Sequence, residues 1–468
     1  MLCFKQKKGK EMATVNGKKT TARDMTSGSI WGQLVLFALP LMLGNIFQML
    51  YNTVDSVIVG NFVSKQALAA IGSTTMITNI MVFFFNGFSV GASVLIGQFF
   101  GARDLDKLHR AVETTIAATF LLCVLFTAAV LPLVRPLLRL MSTPDDVIED
   151  AALYLRLYIG GISGLLIYNI GSGVLRAVGD STRPLFFLIF TSILNIVLDL
   201  FFIIVLKAGI AGAAIATVIS QALSAGLILL LLTKTKDIYR LSWRELHIEL
   251  PLLRRIFAVG LPAGIQSIVT ALSNILVQRY INSFGSDVMA GWASYNKLDQ
   301  FVMLPMQSMA MSATTFVSQN IGAGEEKRAD QGTLASMGLV CGFTGGVIAL
   351  LIGFAPGAVR MFSPDDAVIR YGVLFIRTNC VFLLCNCVNH TLAGALRGRG
   401  DSRGPMIVML SCFVVLRQLY LYLITHFVSN TPRIVGLGYP VGWVSCFVAM
   451  LLYFFLKRRR RLNAEGKI

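Results

Sequence analysis

The chain has 468 residues, of which 55% are hydrophobic and only 14% are charged. In soluble domains about a quarter of the residues are charged. The composition of this chain therefore excludes an ordinary soluble enzyme and indicates that the lipid bilayer is the solvent. The net charge of +17 would suit nucleic-acid binding in a soluble protein. Here the cations lie at the chain ends and between apolar runs, where they report membrane topology, and we expect no nucleic-acid partner.

The chain begins with a basic stretch and then alternates long apolar runs with short polar connections. Residues 1–29 lack the compact apolar core of a secretory signal, so we expect a disordered cytoplasmic tail. Twelve apolar runs are long enough to span a bilayer and predict an all-α membrane protein. The runs lie at about 32–60, 68–97, 110–133, 151–174, 184–206, 209–233, 254–283, 287–317, 331–355, 368–392, 404–428 and 436–456.

The distribution of Lys and Arg predicts how these spans are oriented. If the N-terminus is cytoplasmic, Lys and Arg are several-fold more frequent in the inside segments than in the outside loops. This asymmetry predicts a multi-pass protein of the cell membrane with both termini in the cytoplasm. The polar segment 234–253 is then a cytoplasmic linker. The basic tail 457–468 is expected to act as a cytoplasmic anchor beside membrane lipids.

An internal repeat divides the spans into two sets of six. Residues 98–102 recur as 319–323, and the Leu-Arg-xx-Gly-Asp-Ser element that begins at Leu175 recurs at Leu396, in both cases 221 residues later. An even number of spans in each copy makes the repeats parallel, with the substrate path at their interface. We therefore predict an N-lobe at 30–233 and a C-lobe at 254–456 around a central cavity.

Polar side chains form a stripe along the first predicted helix. Gln48, Tyr51, Asn52 and Asp55 are spaced at 0, 3, 4 and 7 residues, which places them on one helical face. A carboxylate at bilayer depth costs roughly 2.5 kcal/mol or more, so its presence calls for a function or a partner. We therefore expect this face to point into the N-lobe.

Two further helices of the same half carry matching polar faces. Asn195 and Asp199 are four residues apart on the fifth helix, and Thr217 and Gln221 repeat that spacing on the sixth. Since a lipid-facing polar stripe is expensive, the faces should converge. The two acids, Asp55 and Asp199, could together exchange a small cation, either H⁺ or Na⁺, and we predict that this coupling is confined to the N-lobe.

The second half offers weaker candidates. Arg417 lies in the eleventh span, where it could bind substrate or be tied to backbone carbonyls or a loop acid. Asp299 stands near Lys297, so a satisfied structural acid is the simpler interpretation. The eighth helix is rich in methionine around Met303 and Gln307. Methionine suits adaptable binding surfaces, but it also packs in cores.

Several other classes of function lack their sequence motifs. No GxxxxGK[ST] loop or HExxH motif is present, so we expect neither an ATP-driven pump nor a membrane enzyme. The eight cysteines form no pair of CxxC motifs, and neither a disulfide framework nor a structural metal site is supported. We expect no organic cofactor.

Over residues 30–456 the chain resembles the multidrug and toxic compound extrusion (MATE) transporters. The resemblance rests on the repeated six-helix architecture, the segment 51–55, the Asn195-xxx-Asp199 pair and the two Leu-Arg-xx-Gly-Asp-Ser elements. It implies two lobes around a V-shaped cavity and export of cationic or amphipathic drugs in exchange for protons or sodium. It is most similar to the branch whose ion site lies in the N-lobe, since residues 256–283 and 371–392 contain no acid.

The resemblance also assigns individual residues. The ion site of that branch corresponds to Asp55, Asn195, Asp199 and Thr217, where H⁺ or Na⁺ would bind. Lobe-lining polar positions correspond to Gln48, Tyr51, Tyr154 and Asn169. The alternative is a flippase for lipid-linked oligosaccharide or polysaccharide from the same superfamily, although such a polyanion would favour several cavity cations. We expect a monomer, because the repeat already supplies both lobes.

Overall fold

The computed structural model describes residues 14–15, 18–19, 22–141 and 143–464. The rest of the predicted tails lies outside these ranges, as does Ser142. Apart from the short antiparallel strands β1 (Thr14–Val15) and β2 (Lys18–Lys19), regular structure in the described residues is helical. The predicted all-α class is confirmed.

Each predicted apolar run corresponds to one long helix, and the twelve helices form two lobes of six. The N-lobe helices are α1 (Ile30–Phe62), α2 (Lys65–Gly101), α3 (Leu105–Leu140), α4 (Asp145–Ala177), α5 (Thr182–Val205) and α6 (Gly209–Lys234). The C-lobe helices are α7 (Leu250–Asn282), α8 (Ser286–Gly322), α9 (Glu326–Gly353), α10 (Asp366–Gly398), α11 (Arg403–Phe427) and α12 (Pro432–Asn463). A short helix, Ala355–Arg360, follows α9.

Within the described residues, eleven of these helices are long and apolar enough to cross a membrane. The twelfth, α8, is 37 residues long but contains Lys297 and Asp299, which lower its mean hydropathy. Its repeat mate α2 has the same length, and α1 and α7 are both 33 residues long.

The repeated Gly-Asp-Ser element has a structural cause. Gly179 and Gly400 both follow a helix end with φ +85°, the left-handed conformation in which glycine commonly ends helices. The following aspartate then caps the next helix. Asp180 Oδ1 accepts hydrogen bonds from the backbone N–H of Thr182 and of Arg183, each at 3.1 Å, and Asp401 makes the corresponding turn before α11. The motif therefore links α4 to α5 and α10 to α11 in the same way.

The two lobes are in close backbone contact along α2 and α7. A Cβ atom at Gly87 would lie 2.6 Å from the Gly260 carbonyl oxygen, and one at Gly91 would lie 2.9 Å from the Gly260 nitrogen. Gly264 also stands against Gly87, so each helix contributes a GxxxG pair that lets the backbones approach. This glycine contact joins the lobes within the membrane.

The lobes also close on one membrane face, which we call the linker face because it carries the linker 235–249. Gln98 Nε2 donates to the Gly398 carbonyl at 3.1 Å, and Gln319 Nε2 donates to the Ala177 carbonyl at 2.9 Å. These glutamines are repeat mates that cross the interface in opposite directions. The cavity described below is therefore closed at the linker face.

Residues 22–29 correct the prediction that the whole segment 1–29 is a disordered tail. Met25 is fully buried, and its backbone N–H donates to Gln319 Oε1 at 2.9 Å while its carbonyl accepts from Asn320 Nδ2 at 3.2 Å. The backbone N–H of Arg23 donates to the Val178 carbonyl at 3.0 Å. This segment therefore contacts both lobes and adds to the closure of the linker face.

Candidate functional site

A cavity of about 660 Å³ lies between the lobes. Its walls come mainly from α1, α2, α4, α5 and α6, and α8 supplies the C-lobe side. Asp55 and Arg176 are the charged residues among those that line it in the described part of the chain. The predicted site residues that line it are Gln48, Tyr51, Asp55, Tyr154, Asn169, Asn195, Thr217 and Gln307.

A pair of carboxyl groups lies at one end of the cavity. Asp55 on α1 and Asp199 on α5 are within hydrogen-bonding reach of each other. Asp199 is fully buried behind the lining. Both oxygens of Asp199 and Oδ1 of Asp55 lack a hydrogen-bond donor. Two ionised carboxylates both accept and repel each other, so this contact requires a proton or another cation between them.

Further buried polar atoms around the acid pair also lack partners. Both amide atoms of Asn195 are unpartnered, as are Ser220 Oγ and Gln221 Oε1. Thr217, one turn before Gln221, is buried as well. Buried polar atoms are nearly always satisfied, so a cluster of orphaned ones points to a small bound species. Carboxylate, amide and hydroxyl oxygens together suit H⁺ or Na⁺.

Tyrosines enclose this cluster. Tyr51 and Tyr154 both lie close enough to Asp55 and Asp199 to interact electrostatically with these carboxyl groups. The rings of Tyr154 and Tyr158 stack with centroids 6.2 Å apart and planes inclined by 15°. Tyr51, Tyr154 and Tyr158 all line the cavity, so their rings add apolar surface beside the carboxyl pair and their hydroxyl groups add polar atoms.

The two helices that carry the acid pair each contain a local irregularity, 15 residues before Asp55 in α1 and shortly after Asp199 in α5. Pro40 lies within α1, and since proline has no backbone N–H it interrupts the helical hydrogen bonding there. In α5 a π-helical turn, Phe201–Val205, begins two residues after Asp199. Such turns often occur at functional sites.

Met303 is a predicted site residue that the structure places outside the cavity lining. Its sulfur lies 3.9 Å from Asn386 Nδ2, and it packs against a small core that includes Met306 and Met309. The packing interpretation of the methionines therefore applies to this part of α8. Gln307, one turn further along, faces the cavity.

Arg417 and Asp299 also lie away from the cavity lining. Arg417 is buried, donates to Ser273 Oγ at 2.7 Å and sits 4.7 Å from the centre of the Tyr439 ring. Lys297 lies over the Phe362 ring at 5.3 Å and, among the described residues, forms no ion pair with Asp299, whose Oδ1 is buried without a hydrogen-bond partner. Across the described ranges, no group of three or more His, Cys, Asp or Glu residues could hold a metal ion.

Two parts of the cavity wall were not predicted from the sequence. One is a polar face of α2, whose spacing of three to four residues was available as a signal. Its members are Thr74, Thr75, Thr78, Asn79 and Asn86. The other is Arg176, which belongs to the repeated Leu-Arg-xx-Gly-Asp-Ser element but was not predicted as a site residue.

Comparisons with known proteins agree with this architecture. The MatE family model matches residues 40–201 and, a second time, residues 262–423. The "Probable multidrug resistance protein YpnP" of Bacillus subtilis (strain 168) is 32% identical over 438 residues, which cover 92% of this chain and 96% of that protein. The "Probable multidrug resistance protein YoeA" of the same strain is 28% identical over 445 residues, covering 93% and 96%.

Solved structures show the same fold. The structure described as "Outward-facing conformation of a multidrug resistance MATE family transporter of the MOP superfamily" matches with a TM-score of 0.88 and 25% sequence identity. The match covers 96% of this chain and 100% of that one.

Proposed function

Because this chain belongs to the MatE family of membrane transporters, we propose that it is a secondary active multidrug efflux transporter. It exchanges cationic or amphipathic compounds for H⁺ or Na⁺ as its two lobes alternate between open faces. The observation that carries this proposal is the pair formed by the half-buried Asp55 and the fully buried Asp199, beside a cavity that is closed at the linker face.

The acid pair provides the ion-exchange step. With both carboxylates ionised, their repulsion in a desolvated site is large, and a single bound cation removes it. Asn195 and Thr217 supply neutral oxygens that can complete the coordination of Na⁺ or accept hydrogen bonds if the ion is H⁺. The lobes need only differ in cation affinity between their two arrangements for ion binding to drive the conformational change.

The energy available from one ion is sufficient for export. Moving one charge down about 100 mV supplies roughly 2.3 kcal/mol. That energy supports between one and two decades of substrate gradient at about 1.4 kcal/mol per decade. One cation per cycle therefore meets the requirement of a drug exporter without ATP.

The cavity suits an organic molecule of drug size. Its volume of about 660 Å³ lies within the roughly 300–1,000 Å³ range of small-molecule sites. Gln48 and Gln307 face it from opposite lobes, with Met311 beside them. A lipid-linked oligosaccharide or polysaccharide would call for several cations in the cavity. Among the described residues that line the cavity, Arg176 alone is a Lys or Arg. This charge pattern favours drug efflux over the flippase alternative.

Membrane placement and assembly form part of the proposal. We propose a monomer in the cell membrane with both termini in the cytoplasm, so that the closed linker face is cytoplasmic and the cavity loads ions from outside. Membrane lipids surround it, and no nucleic acid takes part. Reporter fusions at the two termini test the orientation, because a periplasmic or extracellular signal from either end would contradict it.

Dye export from proteoliposomes under separately imposed proton and sodium gradients tests the function and identifies the ion. We expect Asp55→Asn and Asp199→Asn each to lower gradient-driven export by at least about tenfold, which corresponds to 1.4 kcal/mol. Asp299→Asn is the matched control, a half-buried acid of the other lobe, and should keep export within about twofold of the unmodified protein. Full export by both N-lobe variants, or none by the unmodified protein under either gradient, would contradict the proposal.

A further inference from the structure

One charged side chain of the cavity takes no part in the ion exchange described above. Arg176 lies at the end of α4 nearest the linker face and lines the cavity. Its Nη2 atom is 3.4 Å from the carbonyl oxygen of Asn169, about two turns earlier in the same helix. Helical side chains tilt toward the helix N-terminus. The guanidinium of Arg176 therefore reaches back along the cavity wall.

The partners of this guanidinium are weak and neutral. Besides the Asn169 carbonyl, Nη2 reaches Ser89 Oγ at 3.5 Å, and both distances exceed the normal range of N–H···O hydrogen bonds. The next acid along the chain, Asp180, is instead 3.4 Å from Arg183 Nε. In the part of the chain that the structure describes, no carboxylate lies within ion-pair distance of Arg176.

Another partly buried arginine shows what a satisfied cation looks like in this protein. Arg399 Nη1 lies 2.6 Å from Glu326, and its Nη2 contacts Asp330. A guanidinium presents five N–H donors in a planar fork that matches a carboxylate with two parallel hydrogen bonds. Arg176 offers this fork to the cavity with no protein anion to receive it.

We propose that Arg176 binds the anionic group of the transported compound, and that the substrates include amphoteric molecules in which an aromatic cation carries a carboxylate. This inference rests on the proposed function and specifies its substrate class. It also gives the cavity a polarity, with the acid pair at one end and a single cation at the other.

The two ends are far enough apart to act separately. Tyr154, near the acid pair, and Asn169, near the Arg176 guanidinium, are 15 residues apart on α4, or about 22 Å along the helix axis. A carboxylate at Arg176 therefore leaves Asp55 and Asp199 to the coupling ion. The aromatic part of the substrate then lies in the middle of the cavity, between Gln48 and Gln307.

A matched pair of dyes tests this assignment by binding alone. Rhodamine 110 carries a free carboxyl group, and rhodamine 123 is its methyl ester, so they differ at the group that Arg176 would hold. Their dissociation constants are measured by fluorescence polarisation with the purified full-length protein in detergent. We expect Arg176→Gln to weaken rhodamine 110 at least about tenfold and to change rhodamine 123 by less than about twofold.

Two further variants provide the controls. Arg176→Lys keeps the charge but loses the fork, so the ratio of the two dissociation constants should fall between those of the unmodified protein and Arg176→Gln. Arg397→Gln alters the repeat-related arginine, which is not among the described lining residues, and should leave the ratio unchanged. If Arg176→Gln does not fold, the ratio measured for Arg176→Lys decides.

Three results would overturn the assignment: equal weakening of both dyes, no change in either, or failure of the unmodified protein to bind rhodamine 110. Dye export is measured separately under the gradients described above. A protein that discriminates the dyes through Arg176 but exports neither would contradict the proposed function and leave this site standing. If the protein exports rhodamine 123 but the Arg176 variants leave the ratio of the two dissociation constants unchanged, the proposed function would stand and the Arg176 site would be contradicted.

Discussion

Closure of the linker face depends on two glycines that a single methyl group should disturb. A Cβ atom at Gly101 would lie 1.8 Å from the Gln319 carbonyl oxygen, and one at Gly322 would lie 1.9 Å from the Gln98 carbonyl oxygen. In each case the added Cβ would clash with a backbone atom, which cannot move away by a rotamer change as a side chain can. Gly101→Ala should therefore force the lobes apart at this face.

The size of the effect follows from the contacts that the separation breaks. The Cβ must move from 1.8 Å to at least 3.0 Å from the Gln319 carbonyl oxygen. That displacement carries the crossing hydrogen bonds of Gln98 and Gln319, now 3.1 and 2.9 Å long, beyond bonding range. Two such bonds at about 0.5–1.5 kcal/mol each give about 1–3 kcal/mol. The population of the closed face should thus fall by about 5- to 150-fold relative to the open one.

Pulsed electron spin resonance measures this shift directly. Spin labels at Asp106 and Lys327, exposed repeat-related positions at the linker face, report the lobe separation in a background without the native cysteines. Gly101→Ala should move the distance distribution to longer values. The control is Gly72→Ala in the same helix, where an added Cβ meets nothing within 4 Å. An unchanged distribution for Gly101→Ala would show that these contacts do not set the closed state.

Two other predictions concern the polar connections at this face. Asp401→Ala removes the carboxylate that accepts from the Gly404 backbone N–H at 3.1 Å and contacts Lys457, so unfolding stability should fall by about 0.5–2 kcal/mol; an unchanged denaturation curve would contradict the capping role. In the linker, hydrogen bonds to the Glu245 carbonyl and the Glu249 carboxylate raise the pKa of His247 above its ordinary 6.5. Glu113 Oε2 also lies 3.7 Å from His247 Nδ1, and Arg110 forms an ion pair with the same Glu249 carboxylate. The protonated imidazole therefore contributes stability below pH 6.5 that is lost as the pH rises through the raised pKa. His247→Gln should lower Tm more at about pH 5.5 than at about pH 8.5, and equal losses at both pH values would refute the contact.

The fold was predictable because its main signals can be read directly along the sequence. Apolar runs of sufficient length and the constant repeat offset identify the helices and their division without any three-dimensional information. The polar stripe through Gln48 and Asp55 was visible for the same reason, since helical spacing alone fixes which residues share a face. The structure places Asn195 and Thr217 beside that stripe, on the same cavity.

The rest depends on contacts between segments distant in the sequence. Nothing in residues 22–29 distinguishes Met25 as a buried residue, because its environment is made by Gln319 and Asn320 nearly 300 residues away. Met303 and Gln307 differ by one helical turn, yet one packs in a core and the other faces the cavity. Whether Arg176 has an ion-pair partner depends on where the surrounding acids lie in three dimensions, which the sequence does not give.

The repeat also explains why the cavity is one-sided. Under the repeat, the contact between α2 and α7 corresponds to the contact between α8 and α1, and Gly87 and Gly91 correspond to Ser308 and Ser312. The glycines bring two backbones together. The serines instead make hydrogen bonds across the interface, to Asn45 at 3.3 Å and to the Leu34 carbonyl at 3.1 Å. The interface is therefore tight along α2 and α7, while Asn45 and Ser308 line the cavity between α1 and α8.

A transporter built from two similar lobes can thus bind its ion and substrate asymmetrically without losing the symmetry of its fold. Among the described residues, no side-chain hydrogen bond joins α2 to α7, so we expect this contact to persist if the lobes rock against each other. The α1–α8 contact is held by hydrogen bonds that the cavity's own polar groups can replace. Opening should therefore proceed along α1 and α8, the side on which Asp55 and Gln307 face the cavity.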